Sequence, residues 1–226
     1  MSVTAPLGFR AAGVAAGLKP AGARDVAVVI NDGPARAAAA VFTANRVKAA
    51  PVLWSQQVVR GGRIRAVLLN SGGANACTGP PGFADTHASA ERLAAALGDS
   101  AGEMAVCSTG LIGERLPMDL LLPGVDAAVA QASRAGGLAA ADAIRTTDAV
   151  AKIAFQRAGG GTQPGDPAAG YAIGGMAKGA GMLAPALATM PGASRAVQTA
   201  RIPRGMGAST GVKEMAGWAV GRDRSG

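Results

Sequence analysis

At 226 residues the chain has room for one domain of ordinary size, or for one domain and a tail. Almost half of it is apolar but only 3% is aromatic, so the core is expected to be built from Val, Leu, Ile, Met and Ala. Half of the formal +8 charge falls in residues 190–226 beside a single aromatic, Trp218. That supports non-specific attraction at most and argues against a nucleic-acid partner. Cys77 and Cys107 form neither a metal spacing nor a disulfide framework, and His87 is the one histidine, expected on a solvated helix face. No metal is implied. With no signal-like stretch and no apolar run of spanning length, a reducing cytoplasm and no membrane are expected.

In chain order, residues 5–9 read as a loose lead-in. Residues 26–30, all apolar and bounded by Asp25 and Asn31-Asp32-Gly33, predict a buried strand and a turn. Residues 37–43 predict a second strand that closes a hairpin on the first. A helix follows over 51–60, with Pro51 near its start and Gly61-Gly62 as its stop. Residues 64–69 give the clearest strand. It runs into Asn70-Ser71-Gly72-Gly73-Ala74-Asn75-Ala76-Cys77-Thr78-Gly79, small and polar like a flexible substrate-facing loop.

Residues 82–97 predict a helix capped by Asp85 or Thr86 and ended by Gly98. A strand over 104–108 ends in the loop Thr109-Gly110-Leu111-Ile112-Gly113. Helices follow over 117–135, broken near Pro123-Gly124, and over 138–144. Thr146-Thr147-Asp148 opens a strand to residue 155, a Gly/Pro loop fills 159–170, and a strand over 171–173 leads into the glycine-rich segment 174–189. Strands that end in small-residue loops and alternate with helices indicate a layered α/β domain.

Segment 174–189 carries the chemistry. Glycines allow close backbone approach, Lys178 adds one charge, and Thr189 follows Ala188 with no bulky neighbour. Cutting the Ala188–Thr189 bond would give Thr189 a free α-amine with a reference pKa of about 7.7–8.0. Such an amine can serve its own hydroxyl as general base. Taken alone, Thr109 and Gly110 also read as a turn, Cys107 as a small buried strand residue, Thr146 as a cap and Lys178 as a solvated loop charge.

The stretches 70–79, 107–113, 146–148 and 174–189, in that order, resemble the ornithine acetyltransferase family, from about Pro6 to Met190. The resemblance implies a mixed α/β sandwich of the kind shared with threonine-nucleophile aminopeptidases. It implies self-cleavage at Ala188–Thr189, with Thr189 as nucleophile of the new chain. It further implies Thr109 and Gly110 as the oxyanion pair, and Thr146, Lys178 and Thr189 as substrate-binding residues. Acetyl would pass from N-acetyl-L-ornithine to L-glutamate with no cofactor, in an assembly of two α and two β chains. Acetyl-CoA stays open as a second donor.

The resemblance stops at Met190. Residues 190–226 show neither a helical nor a strand period, and they read as a basic, disordered, non-family tail of the sort a shifted reading frame produces. On that reading residues 1–189 are an incomplete α-chain-like portion, impaired in the full reaction. The alternatives are a related aminopeptidase or amidase, and a non-catalytic remnant.

Overall fold

The computed structural model describes residues 2–158 and 171–179, together with the backbone of two five-residue strands at 196–200 and 217–221. Its first sheet contains β1 (Phe9–Val14), β2 (Val26–Asn31), β4 (Ala66–Gly73) and β5 (Met104–Leu111), in the order β1-β2-β4-β5. The β1, β2 and β4 strands pair antiparallel, whereas β4 and β5 run parallel. A second sheet contains β3 (Ala37–Ala39), β6 (Lys152–Ala158), β7 (Tyr171–Ala177), β8 (Ala196–Ala200) and β9 (Gly217–Gly221), in the order β3-β9-β8-β7-β6. The helices are α1 (Ala50–Val59), α2 (Gly79–Leu97), α3 (Met118–Gln131) and α4 (Gly137–Ala143).

The continuous apolar run of β2 reflects burial on both faces. Val26, Val28 and Ile30 pack with Leu93 of α2 and Leu121 and Val125 of α3. Ala27 and Val29, one residue out of phase, pack with α4 and with Met176 of the second sheet. Alternate side chains of a strand point to opposite faces, so a strand buried on both sides loses the polar alternation of a half-exposed one.

Several expectations need correction. The lead-in over 5–9 is only partly loose: Leu7 is exposed, but Ala5 and Pro6 are buried, Phe9 already starts β1, and the Pro6 ring would stand 3.1 Å from a Cβ on Gly174. Strand β1 gave no sequence signal, since Phe9-Arg10-Ala11-Ala12-Gly13-Val14 lacks a run of β-branched residues. Backbone pairing holds it instead, from Phe9 opposite Asn31 to Val14 opposite Val26, while Ala11 exchanges two 3.0 Å bonds with Ser133 on its other side.

No β2–β3 hairpin forms. Both edges of β2 are taken by β1 and β4, the Asn31 side chain turns the chain through Gly33 N–H and Ala35 C=O, and β3 pairs with β9. Helix α3 runs unbroken through Pro123. A mid-helix proline costs about 3 kcal/mol, which burial of Leu121, Val125 and Ala128 offsets at about 1.5–3 kcal/mol for a large apolar side chain. Inside the stretch expected to be disordered, β8 and β9 form part of the second sheet. Strand β7 offers β8 a row of backbone donors and acceptors that needs no particular side-chain pattern.

Strand β5 is an edge strand, and α1 covers it. The buried Ser55 hydroxyl donates to the Val106 carbonyl at 2.8 Å and accepts the Val106 N–H at 2.9 Å, and the Trp54 indole N–H donates to the Met104 carbonyl. Ser55→Ala should therefore lower stability by about 1–3 kcal/mol, the cost of buried groups left unpaired, read as a lower urea midpoint at an unchanged slope.

Candidate active site

The carboxyl ends of β4 and β5 form the floor. Ser71 lies opposite Thr109 and Gly72 opposite Gly110, and the register slips at Gly73. Thr109 is half-buried and Gly110 exposed. Both lie within β5, not in a loop after it, because the parallel ladder extends beyond the apolar run. Gly110 has φ +144°, and a Cβ there would meet the Gly72 carbonyl carbon at 2.4 Å. Gly72 has φ +121°, and its Cβ would meet the Leu18 carbonyl oxygen at 2.7 Å. Three backbones thus stack at a spacing that excludes side chains.

Segment 70–79 is less loop-like than its composition suggests. Its first four residues finish β4. Buried Asn70 accepts from the Ser108 hydroxyl at 2.5 Å and donates to the Gly73 carbonyl, while the Ser71 hydroxyl donates to the Ala143 carbonyl. Asn75, at φ +48°, donates to the Gly82 carbonyl and the Thr86 hydroxyl and accepts from Thr78, which anchors the first turns of α2. Asp85 and Thr86 therefore lie inside α2 and do not cap it. The Asp85 carboxylate takes two bonds from Arg115, at 2.6 and 2.8 Å.

Loop 16–19 roofs the floor. The buried Asp25 carboxylate accepts the backbone N–H groups of Ala16, Gly17, Leu18 and Lys19 at 2.6–3.0 Å. The Lys19 ammonium then donates to the Arg145 carbonyl at 3.0 Å, which joins this loop to the turn carrying exposed Thr146. Burial lowers the Lys19 pKa. Nothing in the sequence marked Asp25 or Lys19, since an acid at a strand end and a lysine before proline both read as surface residues.

Lys178 is not a solvated loop charge. It is 8% exposed, and its ammonium has no hydrogen-bond partner. Burial lowers its pKa to about 8, against the charges of Asp148 and Cys107, which raise it, while Lys19 lowers it further. Cys107 is buried in β5 among the residues around Met176, as a small strand residue should be, and it shares a face of that strand with Thr109. Cys107, Asp148 and Lys19 thus sit within electrostatic reach of Lys178. His87 lies half-exposed on α2, 5.0 Å from the Trp54 ring and 3.6 Å from Glu91. Ala188 and Thr189 lie outside the described residues.

This geometry can be set beside known proteins. The sequence profile of the ArgJ family matches residues 10–195. The chain belongs to the ArgJ family. The arginine biosynthesis bifunctional protein ArgJ of Thermobifida fusca is 73% identical over 190 residues, 84% of this chain and 47% of that protein. ArgJ of Mycobacterium tuberculosis is 62% identical over 83% of this chain and 46% of the relative. The chain therefore spans about half the length of the curated relatives it matches. The crystal structure of M. tuberculosis ornithine acetyltransferase complexed with ornithine is 57% identical, with a TM-score of 0.70, and covers 81% of this chain and 94% of that one. The crystal structure of ArgJ from Bacillus halodurans is 35% identical, with a TM-score of 0.73, over 82% and 93%. These matches agree with the expected mixed α/β fold and the expected family. Among the described residues no helix is long and apolar enough to cross a membrane.

Proposed function

We propose that the chain is the N-terminal, α-chain portion (residues 1–189) of a cytoplasmic glutamate N-acetyltransferase that moves acetyl from N-acetyl-L-ornithine to L-glutamate on Thr189. The observation that carries this reading is the β4–β5 end, where Gly110 closes onto Gly72 beside Thr109, on a strand whose Cys107 lies within electrostatic reach of the buried, unpartnered Lys178 ammonium. Such a site offers fixed donors and one unsatisfied cation for a carboxylate-bearing substrate. A second observation supports cleavage. The chain covers 94% of the solved M. tuberculosis chain but only 46% of the curated relative from that organism, so the solved polypeptide is far shorter than the curated sequence.

The steps balance without a cofactor. The Thr189 hydroxyl attacks the Ala188 carbonyl, the amide C–N bond breaks, and water hydrolyses the resulting ester to leave a free α-amine. That amine takes the hydroxyl proton as the oxygen attacks the acetyl carbonyl of N-acetylornithine, and the ornithine amine departs carrying the proton. The glutamate amine then attacks the acetyl ester and the threonine hydroxyl is restored, a ping-pong sequence. The Thr109 hydroxyl and Gly110 N–H stabilise each tetrahedral oxyanion, and losing one such donor costs about 10²–10³ in rate. Thr146 and Lys178 bind the substrate, and acetyl-CoA stays open as a second donor. Transfer requires the segment that the relatives carry beyond this chain, which in the assembled enzyme supplies the β partner of a two-α, two-β complex. Residues 190–226 are a non-family tail that lends β8 and β9 to the second sheet and supplies no catalytic group.

Intact mass tests the first step. The chain, alone or supplied with the C-terminal half of the T. fusca relative, should yield one fragment ending at Ala188 and one beginning at Thr189, while Thr189→Ala stays whole. A wild-type chain that stays uncut under both conditions refutes the reading.

A further inference from the structure

Two buried atoms of opposite charge have no hydrogen-bond partner: the Lys178 ammonium and Oδ2 of Asp148. The other Asp148 oxygen is fully engaged, accepting the Gly179 N–H at 2.7 Å and the Lys152 ammonium at 2.7 Å. Lys152 also donates to the Gly179 carbonyl, and the Arg145 guanidinium donates to the backbone carbonyls of Asp148 and Ala149. One carboxylate thus clamps the turn after Thr146 to the residue that follows Lys178, at the head of the segment leading to Thr189.

We propose that Asp148 is a positioning residue for Lys178: one oxygen fixes the Lys178–Gly179 backbone, and the other is kept free as the counter-charge of the buried ammonium. This rests on the reading of Thr146 and Lys178 as substrate contacts, and it adds a residue to that site. The second oxygen, buried and bound to nothing, is left uncommitted to any structural hydrogen bond. Burial raises the Asp148 pKa, but the Lys152 and Gly179 bonds and the neighbouring Thr146 N–H outweigh it, so the group stays ionised. Among the described residues, the titratable groups that act on Lys178 are Asp148 from the turn before β6, Cys107 from β5 and Lys19 from the loop before β2. Asp148 is the one carboxylate among them, so it has the largest hold on the charge of Lys178.

The test is the titration of Lys178 followed by NMR of labelled lysine in the full chain, which contains five lysines. Asp148→Asn keeps an oxygen for Gly179 but removes the charge. It should move the Lys178 midpoint down by about one pH unit, the lower end of what a nearby opposite charge contributes. Lys152→Met, at a side chain 44% exposed, should move it upward by freeing the carboxylate of a competing cation. An unmoved midpoint in a folded Asp148→Asn chain overturns the proposal. If that variant does not fold, Lys152→Met decides, and a static or falling midpoint overturns it. N-acetyl-L-ornithine binding separates the two readings: a shifted midpoint with unchanged binding upholds the positioning role and removes Lys178 from the substrate site.

Discussion

Gly110→Ala should destabilise the chain more than any other single-methyl addition at the floor of the site. The backbone at φ +144° is one that L residues rarely adopt, a strain of about 1–3 kcal/mol. The new Cβ would also lie 2.4, 2.5 and 2.6 Å from the carbonyl carbon of Gly72, the nitrogen of Gly73 and the carbonyl oxygen of Gly72. All three are backbone atoms, so no side chain can swing away. Nor can β4 retreat, because the Leu18 carbonyl stands against Gly72 from the other side. Overpacking of this kind adds about 1–3 kcal/mol, and the register between β4 and β5 must open at its end. Gly98→Ala is the control. Gly98 sits at φ +62° with nothing within 4 Å of its Cβ position, so only conformational strain remains, about 1–2 kcal/mol. Urea melts of the two variants should differ by at least the overlap contribution. In a protein complete with the segment its relatives carry, the oxyanion role proposed for the Gly110 N–H implies that Gly110→Ala should also lower kcat about 10²–10³-fold. Equal melts for the two variants would mean that the close approach of Gly110 to Gly72 carries no weight.

The same two glycines show how far the sequence could be read. Their place in ordered motifs identified the family, and the buried run of β2 and the strand–helix alternation identified the layered architecture. Composition could not show which small residues were loop and which were ladder, because Asn70-Ser71-Gly72-Gly73 and Thr109-Gly110 lack the apolar signal that marks a strand. Their pairing is carried by backbone alone. Strand β1 escaped for the same reason. Lys178 was found by motif, yet its burial could not be foreseen, since lysine is among the residues least often fully buried. Asp148 was in view within Thr146-Thr147-Asp148, but its role depends on Gly179, far along the chain, and local sequence does not encode such a contact.

Asp25→Ala should cause the second large loss, and it reaches the site through a loop instead of a strand. The carboxylate is fully buried and accepts four successive backbone N–H groups, with one oxygen on Ala16 and the other on Gly17, Leu18 and Lys19. Hydrogen bonds to a charged group contribute roughly 1.5–3 kcal/mol each. They do not add fully, because a loosened loop recovers some bonds to water, so a loss of about 3–5 kcal/mol is expected. Asparagine should rescue little: it keeps one acceptor oxygen, and its amide donors would confront the N–H groups of the loop. The consequence for the site is specific. Loop 16–19 holds the Leu18 carbonyl over Gly72 and brings the Lys19 ammonium to the Arg145 carbonyl beside Thr146. Freed, it would uncouple the β4–β5 floor from the Thr146 turn while leaving both in place. Hydrogen exchange should report this as lost protection of the amides of residues 16–19, followed by Thr146 and Thr147, with β2 protected until global unfolding. Lys19→Met separates the two links in this chain of contacts. It should leave amides 16–19 protected, since Asp25 still holds them, and loosen only the turn after Arg145. If Lys19→Met leaves that turn as protected as in the wild type, the loop and the turn are held independently and Asp25 matters to the site only through Gly72.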